Sequence, residues 1–373
     1  MIQRFLENTI QKRLNDNKAI IILGARQVGK TTLIKNLFDK ENTLWLNGDE
    51  SDTRAMLENV TSTQLKAIIG KNKTFVIDEA QRIKNIGLCI KLITDNITDV
   101  KVIATGSSAF ELSNKINEPL TGRKWEFNLF PLSFAEMVNH TSLIEERRLL
   151  EHRLIYGYYP DVVNNAGDEQ NILKQLTDSY LYKDLFVWEN IHKPDRMEKL
   201  VQALAFQIGS EVSFNELGKL TGLDNETVEK YISLLEKAYI IFRLGSFSRN
   251  LRSELKKSRK IYFYDNGIRN AIIKQFNPTG LRQDIGALWE NFLISERIKH
   301  LSYNQIYTNQ YFWRTISQQE IDYIEDRDGT LYAFEFKWNE NKTARFPKTF
   351  IEAYKNNETE CITKQNFEKF LGM

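Results

Sequence analysis

The sequence predicts an α/β protein in three stretches. Residues 1–140 read as a parallel-sheet α/β domain, 141–260 as a helical region with a winged helix-turn-helix outline, and 261–373 as a second α/β domain. Up to about residue 140, short apolar strands such as "AIIIL" and "TFVID" alternate with helical stretches, the pattern of a parallel sheet. From 141 to about 240 the pattern is mostly helical, and from 261 strands return, flanked by helices. A length of 373 residues, 42% hydrophobic and 27% charged, suits a globular chain of two or three domains.

Composition excludes several classes. No apolar run approaches the roughly 18 residues of a membrane span, and "MIQRFLENTIQKRLNDN" lacks the apolar core of a signal peptide. A cytoplasmic protein with no membrane partner is expected. The two cysteines, Cys89 and Cys361, are far apart, and His140, His152, His192 and His300 are scattered, so neither a disulfide framework nor a zinc site is indicated. A net charge of +2 leaves any basic surface to be local.

The first element that carries chemistry is "AIIILGARQVGKTTLIKNLF" (19–38), a buried strand running into an amphipathic helix with G-x-x-x-x-G-K-T at the junction. Gly24 and Gly29 let the backbone curl, so that the N–H groups of Ala25, Arg26, Gln27, Val28 and Gly29 can face phosphate oxygens. Lys30 would reach the β- and γ-phosphates, the Thr31 hydroxyl would ligate Mg²⁺, and Thr32 lies in the first helical turn, whose dipole favours the anion. ATP and Mg²⁺ are therefore the expected ligands.

"KTFVIDEAQ" (73–81) is a short strand ending in Asp78-Glu79, and acids at the carboxyl end of a parallel strand sit where the P-loop also opens. Asp78 would hold the Mg²⁺ and Glu79 would orient or deprotonate the attacking water; the plainer alternative is that the pair caps the following helix. "KVIATGSSAFEL" (101–112) is another buried strand. In additional-strand P-loop ATPases, which this order resembles, a small polar residue there contacts the γ-phosphate or the water. That role falls to Ser107, with helix capping as its alternative. In "LTGRKWEFNL", Arg123 is either a finger serving the nucleotide of a neighbouring subunit, which implies a homo-oligomer, or a surface ion-pair former.

"SFNELGKLTGLDNETVEKYISLLEKAYIIFRLGSFSRN" (213–250) reads as helix, turn, helix, strand: Ser213 with Glu216 caps the first helix, Gly222 closes it, and Asp224 caps the second. This is the outline of a winged helix-turn-helix. The following stretch holds Arg243, Arg249, Arg252, Lys256, Lys257, Arg259 and Lys260 against Glu254, which suits phosphate contacts and makes nucleic acid, DNA before RNA, an expected partner. Against it, Glu226, Glu229 and Glu236 on the second helix would repel phosphates, so a packing module with a solvated basic loop stays open.

"EIDYIEDRDGTLYAFEFKW" (320–338) reads as a hairpin turning at Asp328-Gly329. Alternation puts Ile321, Tyr323, Phe334 and Phe336 on one side, and Glu320, Asp322, Glu335 and Lys337 on the other. That register sets Asp322 opposite Glu335, about 5 Å away, an arrangement that destabilises unless a cation intervenes. A divalent metal held by Asp322, Glu335 and Glu290 from "GALWENFLISERIKH", with Lys337 stabilising developing charge, would suit phosphodiester hydrolysis. Helix, three strands, helix and strand is the order of the PD-(D/E)XK nuclease core. The alternative is a salt-bridged solvent face with Lys337 opposite Glu320.

Through "GARQVGKTTL", "VIDEAQ", "ATGSS", "LTGRK", "YFYDNG", "GALWENF", "EIDYI" and "EFKW", nearly the whole chain resembles bacterial and archaeal AAA-type ATPases that carry a restriction-endonuclease-like C-terminal domain of unassigned function. The resemblance implies ATP binding and hydrolysis, a winged-helix linker and a nuclease-like end. One departure is "YGYYPDVV" (156–163), where the family commonly has Gly-Gly before the aromatic-proline pair. The expected function is an ATPase acting on nucleic acid with a Mg²⁺-dependent nuclease domain. The alternative is an ATP-dependent switch or regulator, binding DNA or protein, whose nuclease-like domain is not catalytic.

Overall fold

The computed structural model describes residues 2–38, 41–107, 115–178, 193–248, 259–342 and 344–373. Backbone contacts divide the chain into two compact units, one of Met1–Leu132 with Lys237–Tyr239, the other of Ser133–Glu236 with Ile240–Met373.

The first unit is built on a five-stranded sheet of β1 (Ala19–Leu23), β2 (Thr43–Asn47), β3 (Thr74–Asp78), β4 (Lys101–Gly106) and β5 (Lys124–Asn128), in the order β2-β3-β4-β1-β5. Every pairing is parallel. Such a sheet is covered on both faces, so its central strands read as unbroken apolar runs; Ile20, Ile21, Ile22, Phe75, Val76, Ile77 and Ile103 are all fully buried. The order inserts β4 between the strand that feeds the P-loop and the strand that ends in Asp78, so the ends of β1, β4 and β3 lie side by side along one edge of the sheet.

The second unit carries a seven-stranded sheet in the order β12-β11-β10-β9-β7-β8-β6, formed by β6 (Glu211–Val212), β7 (Ile241–Ser246), β8 (Arg259–Phe263), β9 (Asn309–Arg314), β10 (Glu320–Arg327), β11 (Thr330–Phe336) and β12 (Asn357–Ile362). This sheet runs across residue 260, where the sequence suggests a boundary: β7 pairs with β8 on one side and, in parallel, with β9 on the other. The helices Phe214–Thr221 and Asn225–Lys237 form where capping predicts them. Ser213 accepts from Glu216 N at 3.4 Å, Gly222 ends the first helix at φ 70°, and Asp224 Oδ1 accepts from Thr227 N at 2.8 Å.

The hairpin forms in the expected register, from Arg327 opposite Thr330 to Tyr323 opposite Phe334. Asp328 at φ 50° and Gly329 at φ 81° make the two-residue turn. One expectation fails at its far end. The β9–β10 pairing shifts between Ile321 and Ile324, a bulge that breaks the alternation. Ile321 accordingly packs with Ile324, Leu331, Ala333 and Phe350, whereas Tyr323 packs with Phe334, Phe336 and Phe370. Both faces of the hairpin are thus covered by apolar side chains. The charged residues lie at its open end and not on a solvent face, and Glu335 is only 8% exposed.

Candidate active site

The P-loop follows β1, and its shape depends on missing side chains. A Cβ at Gly24 would lie 2.1 Å from Leu129 O, and Gly29 takes φ 95° as the N-cap of the helix Lys30–Leu37. Gln27 is also left-handed at φ 59°, and Ala25 and Val28 are fully buried. Arg4, buried near the N-terminus, donates to Val28 O and Phe130 O, each at 2.7 Å, and so braces the loop from beneath. Nothing in the local sequence around Arg4 signals that role.

Lys30 points back into the loop and donates to Gly24 O at 2.9 Å and Ala25 O at 2.8 Å. Burial pulls its pKa from 10.5 to about 8, although Glu79 and Asp78 favour the charged form and Arg26 opposes it. A desolvated ammonium whose partners are mostly neutral carbonyls is stabilised by an arriving phosphate. Thr31 Oγ1 donates to Asp78 Oδ2 at 2.8 Å, a contact that spans β4. A hydroxyl and a carboxylate within hydrogen-bond reach are hard oxygen donors of the kind Mg²⁺ takes, and they fit the ion. Thr32 follows in the same helical turn.

At the end of β4, Thr105 Oγ1 donates to Asp78 Oδ1 and accepts from Glu79 N at 3.1 Å, tying both acids to the central strand. Glu79 sits at φ 49° and its Oε2 accepts from Ser107 Oγ at 3.0 Å and from Gln81 Nε2 at 2.5 Å. Thr105 and Gln81 belong to this site but carry no separate sequence signal. They lie inside "ATGSS" and "VIDEAQ", and only the fold turns them inward. Lys30, Thr31, Asp78, Glu79 and Ser107 are therefore brought together at one sheet edge. Arg123 is not among them. Ala19 N donates to Arg123 O at 2.9 Å, which sets Arg123 at the opposite end of β1, roughly 15 Å of strand from the loop. There its Nε donates to Asp95 Oδ1 at 2.6 Å.

The second unit gathers the other predicted residues around Lys260. That residue, expected to contact phosphate from an exposed loop, is 2% exposed. Its position in β8 directs it inward, where its Nζ lies 3.2 Å from Glu290 Oε1 and 2.5 Å from Glu320 Oε1. Burial alone would lower its pKa, but Glu290, Glu320 and Asp322 raise it overall and keep the ammonium charged. Tyr262 OH, two residues along the same strand, donates to Glu290 Oε1 at 2.6 Å. Burial pushes Glu290 up to about 7, assisted by Asp322 and opposed by Lys260.

The paired register ends at Tyr323–Phe334, and just beyond it Asp322 and Glu335 share Lys337. Asp322 Oδ2 accepts from Phe336 N at 2.9 Å and lies 3.8 Å from Lys337 Nζ, which donates to Glu335 Oε2 at 2.6 Å. Burial first, and Asp322 second, raise the Glu335 pKa. Lys337 thus serves Asp322 and Glu335 and not Glu320, whose partners are Lys260 and Arg314. Ammonium groups stand where the sequence suggested a metal. Among the described residues no group of three or more His, Cys, Asp or Glu side chains is gathered as an ion cage.

The arginines beside the second helix of residues 213–250 are also engaged. Arg243 pairs with Glu236, and Arg259 Nη1 lies 3.4 Å from Glu229 Oε1. Arg249, Arg252, Lys256 and Lys257 lie outside the described residues. No helix among the described residues is long and apolar enough to cross a membrane.

Residues 16–138 match an AAA domain family model, residues 147–279 a domain of unknown function (DUF8612), and residues 285–369 a domain of unknown function (DUF4143). An uncharacterized protein of Haemophilus influenzae is 25% identical over 377 residues, covering 91% of this chain and 88% of the relative. An uncharacterized protein of Mycobacterium tuberculosis is 24% identical over 340 residues, covering 88% and 72%. Among solved structures, the Walker-type ATPase of Pyrococcus abyssi superposes with a TM-score of 0.52 at 14% identity, over 73% of this chain and 96% of that one. With the loop, the two acids and the parallel sheet in place, the first unit is a P-loop ATPase domain.

Proposed function

We propose that the chain is an ATP-hydrolysing switch: turnover in the first unit regulates binding of a macromolecular partner, with DNA as the expected partner, and residues 133–373 do no cutting of their own. The observation that carries this reading is the pairing of Lys260 with Glu290 and Glu320 beside Lys337 with Asp322 and Glu335. An acidic cluster already neutralised by lysines supports a structural role better than a hydrolytic one.

In the ATPase reaction, Lys30 leaves the carbonyls of Gly24 and Ala25 for the β- and γ-phosphates. Thr31 and Asp78 would hold Mg²⁺, which supplies charge neutralisation across those phosphates. Glu79 takes the proton of the attacking water, and Ser107 senses the γ-phosphate. On the DNA side, Arg243, Arg259 and Lys260 are consumed by acids, so phosphate contacts fall to the 249–258 stretch with Lys256 and Lys257.

A second reading, a Mg²⁺-dependent nuclease, keeps one observation in its favour: Lys337 stands beside both Asp322 and Glu335. One experiment separates the two. Purified protein is incubated with plasmid DNA, single-stranded DNA and RNA, with Mg²⁺ or Mn²⁺, with and without ATP. The switch reading predicts ATP hydrolysis and intact nucleic acid under every condition. Cleavage that requires metal and is lost in Asp322→Ala would establish the nuclease instead.

A further inference from the structure

The hydrogen bonds around Glu79 hold a residue to which no role has been assigned. β3 ends at Asp78 and the chain turns at once: Glu79 is left-handed, and a single 3-10 turn, Ala80–Arg82, follows. Arg82 N donates to Glu79 O at 3.0 Å and Ile83 N to Ala80 O at 3.1 Å. This tight return carries the side chain of Gln81 back toward the residue two positions before it. Gln81 is 1% exposed, and its main-chain oxygen is held by Lys115 Nζ.

Gln81 Nε2 donates to Glu79 Oε2 at 2.5 Å and to Ser107 Oγ at 3.0 Å, while Ser107 Oγ donates to the same Glu79 Oε2 at 3.0 Å. The amide orientation follows from the carboxylate, because only N–H groups can face it. Both of these contacts to the Glu79 carboxylate fall on Oε2 and leave Oε1 outside the set. Gln81 Oε1 is buried with no partner among the described residues. The orphaned acceptor offsets part of what the two donated bonds contribute to stability.

We propose that Gln81 is a positioning residue for ATP hydrolysis: its amide pins one oxygen of Glu79 and links it to Ser107, so that the other oxygen is presented to the attacking water. The link gives Ser107 two destinations, the Gln81–Glu79 pair or a γ-phosphate. When the hydroxyl turns to phosphate, Gln81 alone keeps the carboxylate from swinging away. Glu79 is then held in place only while its amide partner remains. The proposal rests on the ATPase reading of the first unit and concerns the rate of the chemical step, not the binding of nucleotide, because the hydrogen bonds of Gln81 among the described residues go to Glu79, Ser107 and Lys115 and not to the P-loop or Lys30.

The test uses the full chain with ATP and Mg²⁺. Two variants of nearly unchanged size, Gln81→Met and Gln81→Glu, each remove the amide donors, and Glu79→Gln and the double variant Glu79→Gln/Gln81→Met complete the set. Steady-state phosphate release, ATP affinity by calorimetry and melting temperature are measured for each. We expect kcat to fall by about tenfold or more in both Gln81 variants with the ATP Kd within about twofold of wild type. The double variant should be no slower than Glu79→Gln, because Gln81 acts only through that carboxylate. Wild-type kcat in both Gln81 variants would overturn the proposal. So would a loss carried entirely by ATP affinity, or a double variant slowed by the product of the two single effects. Absence of turnover in the wild type would instead overturn the ATPase reading, and this proposal with it.

Discussion

Lys260 Nζ lies 3.2 Å from Glu290 Oε1, both side chains being almost out of solvent. The two come from β8 and from the helix Ile285–Tyr303, so the contact joins the strand that holds Lys260 to the helix that begins the C-terminal part of the chain. Breaking a buried pair from one side leaves an uncompensated charge. Lys260→Met should therefore cost about 3–5 kcal/mol of stability, whereas Lys260→Met combined with Glu290→Gln should cost clearly less than the sum of the two single changes. Urea denaturation of the four proteins checks this, and additive effects would show that the pair is not coupled.

The same cluster predicts how the hairpin responds to metal. Asp322 accepts a main-chain hydrogen bond from Phe336 and faces Lys337, so it is not simply half of a repulsive pair. Asp322→Ala should lower stability by about 1–3 kcal/mol, the usual cost of leaving a buried donor unmet. Thermal melts with and without millimolar Mg²⁺ or Mn²⁺ should give the same melting temperature for the nucleotide-free wild type. A rise of several degrees that Asp322→Ala abolishes would mean that a metal displaces the lysines.

Stability on the acid side should depend on His300. Burial, reinforced by Arg297 and Arg327, pulls its pKa from 6.5 down to about 4. The fold therefore favours the neutral ring, and this contribution is complete above pH 6.5 and is lost as pH falls from there toward about 4. Relative to wild type, His300→Gln should gain stability progressively across that window and no further below it. Parallel melting curves for the two proteins from pH 7 to 4 would contradict the assignment.

The division of the basic segment gives a test of DNA contact. Replacing Lys256 and Lys257 by Ala should weaken DNA binding and reduce the slope of log affinity against log salt by about 2, one unit for each lost phosphate contact. Replacing Lys260 should leave the slope alone, because its charge is already spent on Glu290 and Glu320. An unchanged slope in the Lys256, Lys257 variant would remove these two residues as phosphate contacts.

Much of this was legible in the sequence where the determinants are local. The P-loop needs a glycine at 24 and another at 29, and the hairpin register follows from Asp328-Gly329 alone. Asp78 and Thr31 are 47 positions apart, yet their meeting follows from the rule that a parallel sheet opens its site at the carboxyl ends of its strands. The destination of Lys260 was not legible. It depends on β7 lying beside β9, a pairing across more than sixty residues that no local pattern encodes, and without it "LKKSRK" reads as an exposed basic run. The bulge between Ile321 and Ile324 was hidden for a related reason, since alternation in a single strand says nothing about its neighbour's register. Gln81 stayed hidden because two acids before it accounted for the motif.

The central claim is that the first unit hydrolyses ATP with Glu79 handling the water. Phosphate release from ATP by Glu79→Gln, measured beside its ATP affinity, tests it most directly, with Lys30→Ala as the variant expected to lose tight binding. The account predicts that Glu79→Gln binds ATP as wild type does and releases phosphate about 10²–10⁴-fold more slowly. Release at the wild-type rate would contradict it.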